Sequence, residues 1–165
     1  MLLEVANLKT HFHLGGGRFA YAVNGVSFQI AEGETLALVG ESGCGKSVTA
    51  FSVMKLLPEN AEHPSGQVQF EGQNLLTADE RTMRAIRGNR MAMIFQEPMT
   101  SLNPLIRVER QLTEPLELHR GMAKKDARAE ALHLLKHVGI PAPADRLRDF
   151  PHQLSGGMRQ RVMIA

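Results

Sequence analysis

One stretch of the 165-residue chain combines glycines, a lysine and a hydroxyl at fixed spacing: Gly40-Glu41-Ser42-Gly43-Cys44-Gly45-Lys46-Ser47. It matches the pattern G-x-x-x-x-G-K-[ST] at every fixed position. The glycines allow a tight turn whose backbone N–H groups point at phosphate oxygens, and Lys46 supplies a charge for the β- and γ-phosphates. The Ser47 hydroxyl suits Mg²⁺. We therefore expect residues 40–47, with Val48 behind them, to bind a nucleoside triphosphate.

The elements around this loop are expected to be a strand before it and a helix after it. Residues 35–39 are a short apolar run that predicts a buried strand, and residues 48–57 predict a helix whose positive N-terminal end faces the phosphates. Residues 91–95 predict a second buried strand in a central, parallel position. Residues 3–8 and 22–30 predict an antiparallel pair, because the connection between them is too short for a helical crossover.

Composition limits the classes of protein. The chain is 43% hydrophobic and 22% charged, which indicates a folded globular protein, and its net charge of +2 is too small for a nucleic-acid surface. The single cysteine, Cys44, excludes an internal disulfide and is expected to fill space in the loop rather than react. No apolar run approaches the ~18–20 residues of a bilayer span. Membrane association is therefore expected only through a partner.

Two stretches between residues 77 and 116 have patterns that are typical of helices. Thr77 and Glu80 have the spacing of a capping box, which predicts a helix from there to about Arg87. Further along, apolar residues repeat every four positions at Val108, Leu112 and Leu116. Pro115 interrupts this repeat and is expected to kink or break the helix.

A second stripe of apolar residues with helical spacing follows at Ala131, Leu134, Leu135 and Val138, and Gly139 stands where a C-terminal cap belongs.

The chain is therefore expected to have three parts. Residues 1–97 are expected to form a nucleotide-binding α/β core, residues 98–151 a helical subdomain, and residues 152–165 a motif with the start of its helix.

That last motif is a second candidate anion site. Ser155 is a good N-cap, and Gly156 and Gly157 allow a close backbone approach at a helix start. The amides and the helix dipole would attract a phosphate there. One nucleotide does not need two such sites from one chain. We therefore expect the second site to cap the γ-phosphate of a nucleotide bound by a partner subunit.

With both motifs present, the chain resembles the ATP-binding subunits of ABC transporters. Their signature Leu-Ser-Gly-Gly-Gln corresponds to residues 154–158, with Met158 in place of the glutamine. The resemblance implies an α/β P-loop NTPase fold of the ABC ATPase type, with N-terminal antiparallel strands and an inserted helical subdomain. It also implies ATP and Mg²⁺ as cofactors.

The resemblance implies two further site residues, a glutamine and an aromatic residue. Gln96 corresponds to the glutamine that contacts Mg²⁺ and the attacking water, and it joins Lys46 as a catalytic group. Phe12 falls where the family places an aromatic ring that stacks on adenine. Tyr21 is the alternative for that role, and either ring could instead serve packing.

Finer similarity points to one branch of the family. Residues 93–104 are similar to those of the oligopeptide, dipeptide, nickel and glutathione importers. This implies a second ATP-binding subunit, two transmembrane permease subunits that contact residues 97–104, and, indirectly, a periplasmic binding protein. The expected location is the cytoplasmic face of the bacterial inner membrane. The alternatives are a soluble non-transport ABC ATPase and a non-catalytic nucleotide-binding fragment.

The family's catalytic glutamate and histidine follow the signature helix, in which this chain ends at Ala165. We therefore expect an N-terminal fragment that binds ATP without hydrolysing it efficiently. Its parallel sheet is expected to be incomplete, with uncovered apolar edges.

Overall fold

The computed structural model of the chain describes residues 1–95 and 102–165. These residues form two units, Met1–Arg87 and Gly88–Ala165. The expected site residue Gln96 and residues 97–101 of the expected permease-contacting loop lie outside the described residues. Within the described ranges, no helix combines the length and apolar character that crossing a bilayer requires.

The first unit contains an antiparallel sheet. Its strands are β1 (Leu3–Gly15), β2 (Arg18–Ile30), β3 (Ala61–Glu62), β4 (Gln67–Phe70) and β5 (Gln73–Asn74). The order is β2-β1-β4-β5, and β3 also pairs with β1. The predicted antiparallel pairing of the first two strands is confirmed. Both strands are longer than predicted, since each extends to the two-residue turn at Gly16 and Gly17.

The core of the first unit lies beneath this sheet. Its buried apolar side chains come from the strands, the helices and the residues that directly follow them: Val5, Leu8, Val23, Val53, Met54, Val68, Phe70, Leu75, Met83 and Ile86. Burial of these side chains is the main favourable term in folding this unit.

Two predicted strands are wrong. Residues 35–39 have no regular secondary structure, and Leu36, Leu38 and Val39 are exposed. Residues 91–95 also lack a strand, and Ile94 and Phe95 are exposed. A parallel strand is stable only between hydrogen-bonded neighbours. Within the described part of the chain, no strand of the sheet pairs with either segment, so their apolar side chains remain uncovered.

Two helices complete the first unit. α1 (Lys46–Val53) begins directly in the glycine-rich loop, two residues earlier than predicted, and ends before Met54. α2 (Glu80–Ile86) is capped by Asp79, whose carboxylate accepts a hydrogen bond from the Thr82 amide at 2.8 Å. The predicted capping box at Thr77 is therefore wrong.

The Thr77 hydroxyl instead donates to the carbonyl of Asn74. Since Asp79 is also a strong N-cap residue and lies closer to the helix start, it takes the capping role.

A chain of hydrogen bonds fixes α1 against β1. Ser52 Oγ donates to the carbonyl of Val48 at 2.7 Å, so the Thr10 hydroxyl must be the donor in its 2.8 Å contact with Ser52. Thr10 Oγ1 in turn accepts from His63 Nδ1 at 3.2 Å. Neutral His63 therefore carries its proton on Nδ1, and the order of donors runs from His63 to Thr10 to Ser52 to Val48.

Among its described residues, the second unit contains the helices α3 (Val108–Arg120), α4 (Lys124–His137), α5 (Pro143–Arg146) and α6 (Gly156–Ile164), with a 3-10 turn at Pro151–Gln153. They enclose a core of buried apolar residues: Leu102, Val108, Ala131, Leu135, Ile140, Leu147, Leu154 and Val162. The predicted stripe on α4 contributes Ala131 and Leu135 to this core. α3 continues through Pro115, so the predicted break does not occur.

The predicted cap of α4 is confirmed. Gly139 has φ +71° and donates to the carbonyl of Lys136, while Ile140 donates to that of Leu135. These two bonds form a Schellman motif. Leu135 and Ile140 meet in the core, which is the apolar contact that accompanies this motif.

We predict that Gly45→Ala destabilises the protein more than Gly43→Ala. Both glycines have positive φ, +93° and +83°, so alanine strains the backbone by about 1–2 kcal/mol at either site. A Cβ on Gly45 would also stand 2.3 Å from the carbonyl oxygen of Ala22, whereas at Gly43 it meets nothing within 4 Å. The crowding should cost about 1–3 kcal/mol more. Urea denaturation measures both variants, and equal free energies of unfolding would contradict the close contact.

We also predict that His63 makes the protein less stable in mild acid. Burial lowers the pKa of His63 below its ordinary value of 6.5. The hydrogen bond to the backbone carbonyl of Lys9 raises this pKa, and the nearby Lys55 ammonium lowers it. The unfolded chain therefore binds the proton first as pH falls below about 6.5, and the free energy of unfolding decreases there.

The measurement compares wild type with His63→Asn between pH 7.5 and 5. The asparagine amide can replace the Nδ1–H donor without titrating, so the decrease should become shallower. His137→Asn, at an exposed position of α4, is the control. A His63→Asn profile with the wild-type slope would contradict the prediction.

Candidate functional site

The first candidate site is the loop of residues 40–47, hereafter the first anion site. Its closing residue, Gly45, lies against the carbonyl of Ala22 on β2 and is the N-cap of α1. A Cβ on Gly40 would meet Cys44 Sγ at 2.6 Å, a contact that a movement of the cysteine side chain could relieve. The loop thus bends tightly into the start of α1, whose first N–H groups have no partner within the helix. This is the geometry by which backbone amides bind phosphate.

Lys46 lies inside this loop. Its ammonium donates to the carbonyl oxygens of Gly40 at 2.7 Å and Glu41 at 2.6 Å, and contacts Cys44 Sγ at 3.5 Å. Three donors are thus directed at three acceptors of the same loop. The thiol is the weakest of these acceptors, so it is the contact most easily exchanged for a phosphate oxygen.

The remaining residues of the loop are accessible to a ligand. Glu41, Ser42, Gly43, Cys44 and Ser47 are exposed, and Cys44 is a free thiol. The Ser47 hydroxyl is an oxygen ligand of the kind that Mg²⁺ prefers. Among the described residues, no three His, Cys, Asp or Glu side chains are grouped so that they could hold a metal ion.

The second candidate site is the start of α6 at residues 155–157, hereafter the second anion site. Ser155 Oγ accepts a hydrogen bond from the Met158 amide at 3.3 Å, which confirms its predicted role as N-cap. Accepting this bond uses a lone pair and leaves the hydroxyl proton able to donate to an anion. Ser155, Gly156 and Gly157 are all exposed, and a Cβ on either glycine would meet nothing within 4 Å.

The two aromatic candidates for adenine stacking differ in placement. Phe12 is half-buried in β1 and pairs with Ala20 and Ala61 on the neighbouring strands. Tyr21 is 67% exposed and pairs with His11, whose ring lies edge-on at 4.3 Å. Tyr21 and its partner His11 share one face of the hairpin. Since Phe12 follows His11 and successive residues of a strand point to opposite faces, Phe12 and Tyr21 lie on opposite faces.

The structure adds one residue that sequence reasoning missed beside the expected permease-contacting loop. The Gln111 side chain accepts from the Asn103 amide at 2.9 Å and donates to the carbonyls of Asn103 and Ile106. It thereby holds the turn that carries Leu105, whose side chain is 84% exposed. No sequence pattern distinguishes a glutamine that makes such contacts from the other glutamines of amphipathic helices.

Comparisons with known proteins agree with this geometry. A profile of the ABC transporter family matches residues 23–165. The Agrobacterium fabrum protein named peptidoglycan transport ATP-binding protein YejF is 57% identical over 165 residues, covering 99% of this chain and 30% of that protein. The Bacillus subtilis dipeptide transport ATP-binding protein DppD is 52% identical over 165 residues, covering 99% of this chain and 49% of that protein. The chain thus spans less than half the length of either curated relative.

A solved structure is similar over nearly the whole chain. It is a dimer of the ATP-binding cassette MJ0796 in a post-hydrolysis state, bound to ADP and Pi. The TM-score is 0.83 at 28% identity, with 98% of this chain and 67% of that chain covered. This match confirms the expected fold class, and the profile confirms the resemblance that the two motifs carry. The chain therefore belongs to the ABC transporter family.

Proposed function

We propose that this chain binds MgATP as the ATP-binding, energy-coupling part of a bacterial peptide-type ABC import system. The observation that carries the proposal is the first anion site, where crowded glycines, an inward-pointing Lys46 and the start of α1 converge. No other chemistry accounts for this combination as well as a bound triphosphate.

Each residue of the first anion site has a separate task in this proposal. The backbone amides of residues 41–46 surround the phosphate oxygens, and Lys46 neutralises charge on the β- and γ-phosphates. Ser47 and Gln96 would hold the Mg²⁺ that the nucleotide brings, and the resemblance assigns Gln96 to the attacking water as well. Val48 lies in the first turn of α1, next to these amides. Phe12 would stack on the adenine.

The second anion site acts on a different nucleotide in this proposal. Residues 155–157 of one subunit would cap the γ-phosphate of ATP held by residues 40–47 of a second subunit. The exposed amides and the remaining donor of Ser155 support this role, since they face solvent rather than their own unit. ATP would then stabilise a pair of ATP-binding subunits, either identical or different.

The transport role rests on the relatives. Proteins about 50% identical to nearly all of this chain are named dipeptide and oligopeptide transport ATP-binding proteins. We accordingly propose two permease subunits as partners, with residues 97–104 at the contact, and a periplasmic binding protein that selects the substrate. The location would be the cytoplasmic face of the inner membrane, and no nucleic acid would be bound. Peptides, or molecules that contain a peptide, are the proposed cargo.

The first prediction from this proposal concerns Lys46. Lys46→Ala should weaken MgATP binding by about 10- to 100-fold, because it removes charge-assisted hydrogen bonds to the phosphates. Lys46→Gln can still bond a loop carbonyl without supplying charge, so a similar loss there assigns the effect to the charge. Isothermal titration calorimetry measures the affinities, with Lys136→Ala on α4 as the control. Retained micromolar affinity in both Lys46 variants would contradict the role of Lys46.

The second prediction separates binding from turnover. The 165-residue chain should bind MgATP but release little phosphate over many turnovers, because the resemblance places the carboxylate that activates water after the signature helix rather than within residues 1–165. Calorimetry with ATP and a phosphate-release assay on the same preparation test the two properties. A turnover rate matching that of a complete transporter ATPase would refute the prediction, and absence of binding would refute the proposed function.

A further inference from the structure

Arg159 reaches backwards from α6 to the segment that precedes it. Its Nε donates to the carbonyl oxygen of Leu154 at 3.0 Å, and its Nη2 donates to that of His152 at 3.4 Å. His152 lies in the 3-10 turn and Leu154 directly follows that turn, so both carbonyls belong to the residues just before Ser155. The half-buried Arg159 side chain thus binds two carbonyls of the residues directly before the second anion site.

The bond to Leu154 has a geometric consequence for Ser155. The peptide group between Leu154 and Ser155 is planar and trans, so the N–H of Ser155 points opposite to the C=O of Leu154. Because Arg159 holds this C=O towards the body of α6, it also sets the direction of the Ser155 N–H. That amide is the first of the three that form the second anion site.

Packing fixes the side chain of Leu154, the residue whose carbonyl Arg159 holds. The Leu154 side chain is only 3% exposed and belongs to the core of the second unit. The 3-10 turn before it is closed by Gln153, whose side chain accepts from the Phe150 amide at 2.8 Å. With side chain and carbonyl both held, the peptide group at Leu154 has little freedom to rotate.

We propose that Arg159 is a positioning residue for the second anion site: its bonds to the carbonyls of Leu154 and His152 aim the amides of residues 155–157 at an anion. The inference rests on the proposed function, since it presumes that the second anion site meets a nucleotide phosphate. Arg159 acts through the backbone and does not itself touch the phosphate.

The chain offers a matched control on the same helix. Arg161 also donates from α6 to a carbonyl, that of Gly139 at 3.0 Å, but this bond leads to the cap of α4 and away from Ser155. Loss of Arg161 therefore removes a comparable bond and the same charge without releasing the peptide group at Leu154.

The test follows backbone amide signals of the full 165-residue chain by NMR during titration with Mg²⁺ and the slowly hydrolysed analogue ATPγS. In wild type, signals of residues 40–47 and of residues 155–157 should both shift. In Arg159→Ala, the first set should shift with unchanged affinity. The response of residues 155–157, followed at saturating nucleotide, should require about tenfold more protein, because the ATP that they cap is held by a second subunit. Arg161→Ala should behave as wild type at both sites.

A second pair of measurements separates positioning from charge. Arg159→Lys keeps the charge but lacks the fork that reaches two carbonyls, so it should not restore the response of residues 155–157. Without any nucleotide, the Ser155 amide should exchange with solvent faster in Arg159→Ala than in Arg161→Ala.

The possible failures are distinguishable. A wild-type response of residues 155–157 in Arg159→Ala, or full rescue by Arg159→Lys, would overturn the positioning role. A wild-type protein whose residues 155–157 do not respond at all would also overturn it. No response of residues 40–47 in wild type would instead refute the proposed function.

Discussion

The contact between the Gly45 backbone and the carbonyl of Ala22 is the constraint on which the first anion site depends. It brings the end of the loop against β2 so closely that no side chain fits between them. α1 begins at Lys46, directly after this contact, with its first amides next to the loop. The position of Lys46 among the carbonyls of Gly40 and Glu41 follows from the same bend.

The two anion sites are supported in different ways. α1 is held from the side, where hydroxyls of Thr10 and Ser52 link it to β1, and from its end, where Arg87 donates to the carbonyls of Met54 and Lys55. α6 is held at its start by the Ser155 cap and by a bond that returns from Arg159. In both cases, an arginine satisfies carbonyl groups that the helix or turn leaves without a partner.

Much of the site could be predicted from the sequence, because its chemistry depends on local spacing. The loop of residues 40–47, the cap at Ser155 and the turn at Gly139 are each set by a few neighbouring residues. The apolar runs at residues 35–39 and 91–95 misled the prediction. An apolar run indicates that a strand is favourable, but burial depends on neighbours from elsewhere in the chain, and the sheet among the described residues provides none.

Other features had no pattern that sequence reasoning could use. Arg159 and Gln111 act through long side chains that reach backbone carbonyls, and many arginines and glutamines on helix surfaces do not. The choice of Asp79 over Thr77 as a cap depended on where α2 begins, which a spacing rule gives only to within a turn. Roles that depend on tertiary geometry thus had to come from the structure.

The turn held by Gln111 bears on how readily this surface can associate with another protein. Disordered loops lose conformational entropy when they bind, and that loss reduces affinity for a given contact area. Here, three side-chain bonds already order the backbone around Leu105 in the isolated chain. A hydrophobic pocket that accepts Leu105 would therefore gain the burial of an exposed leucine with little ordering cost on this side of the interface.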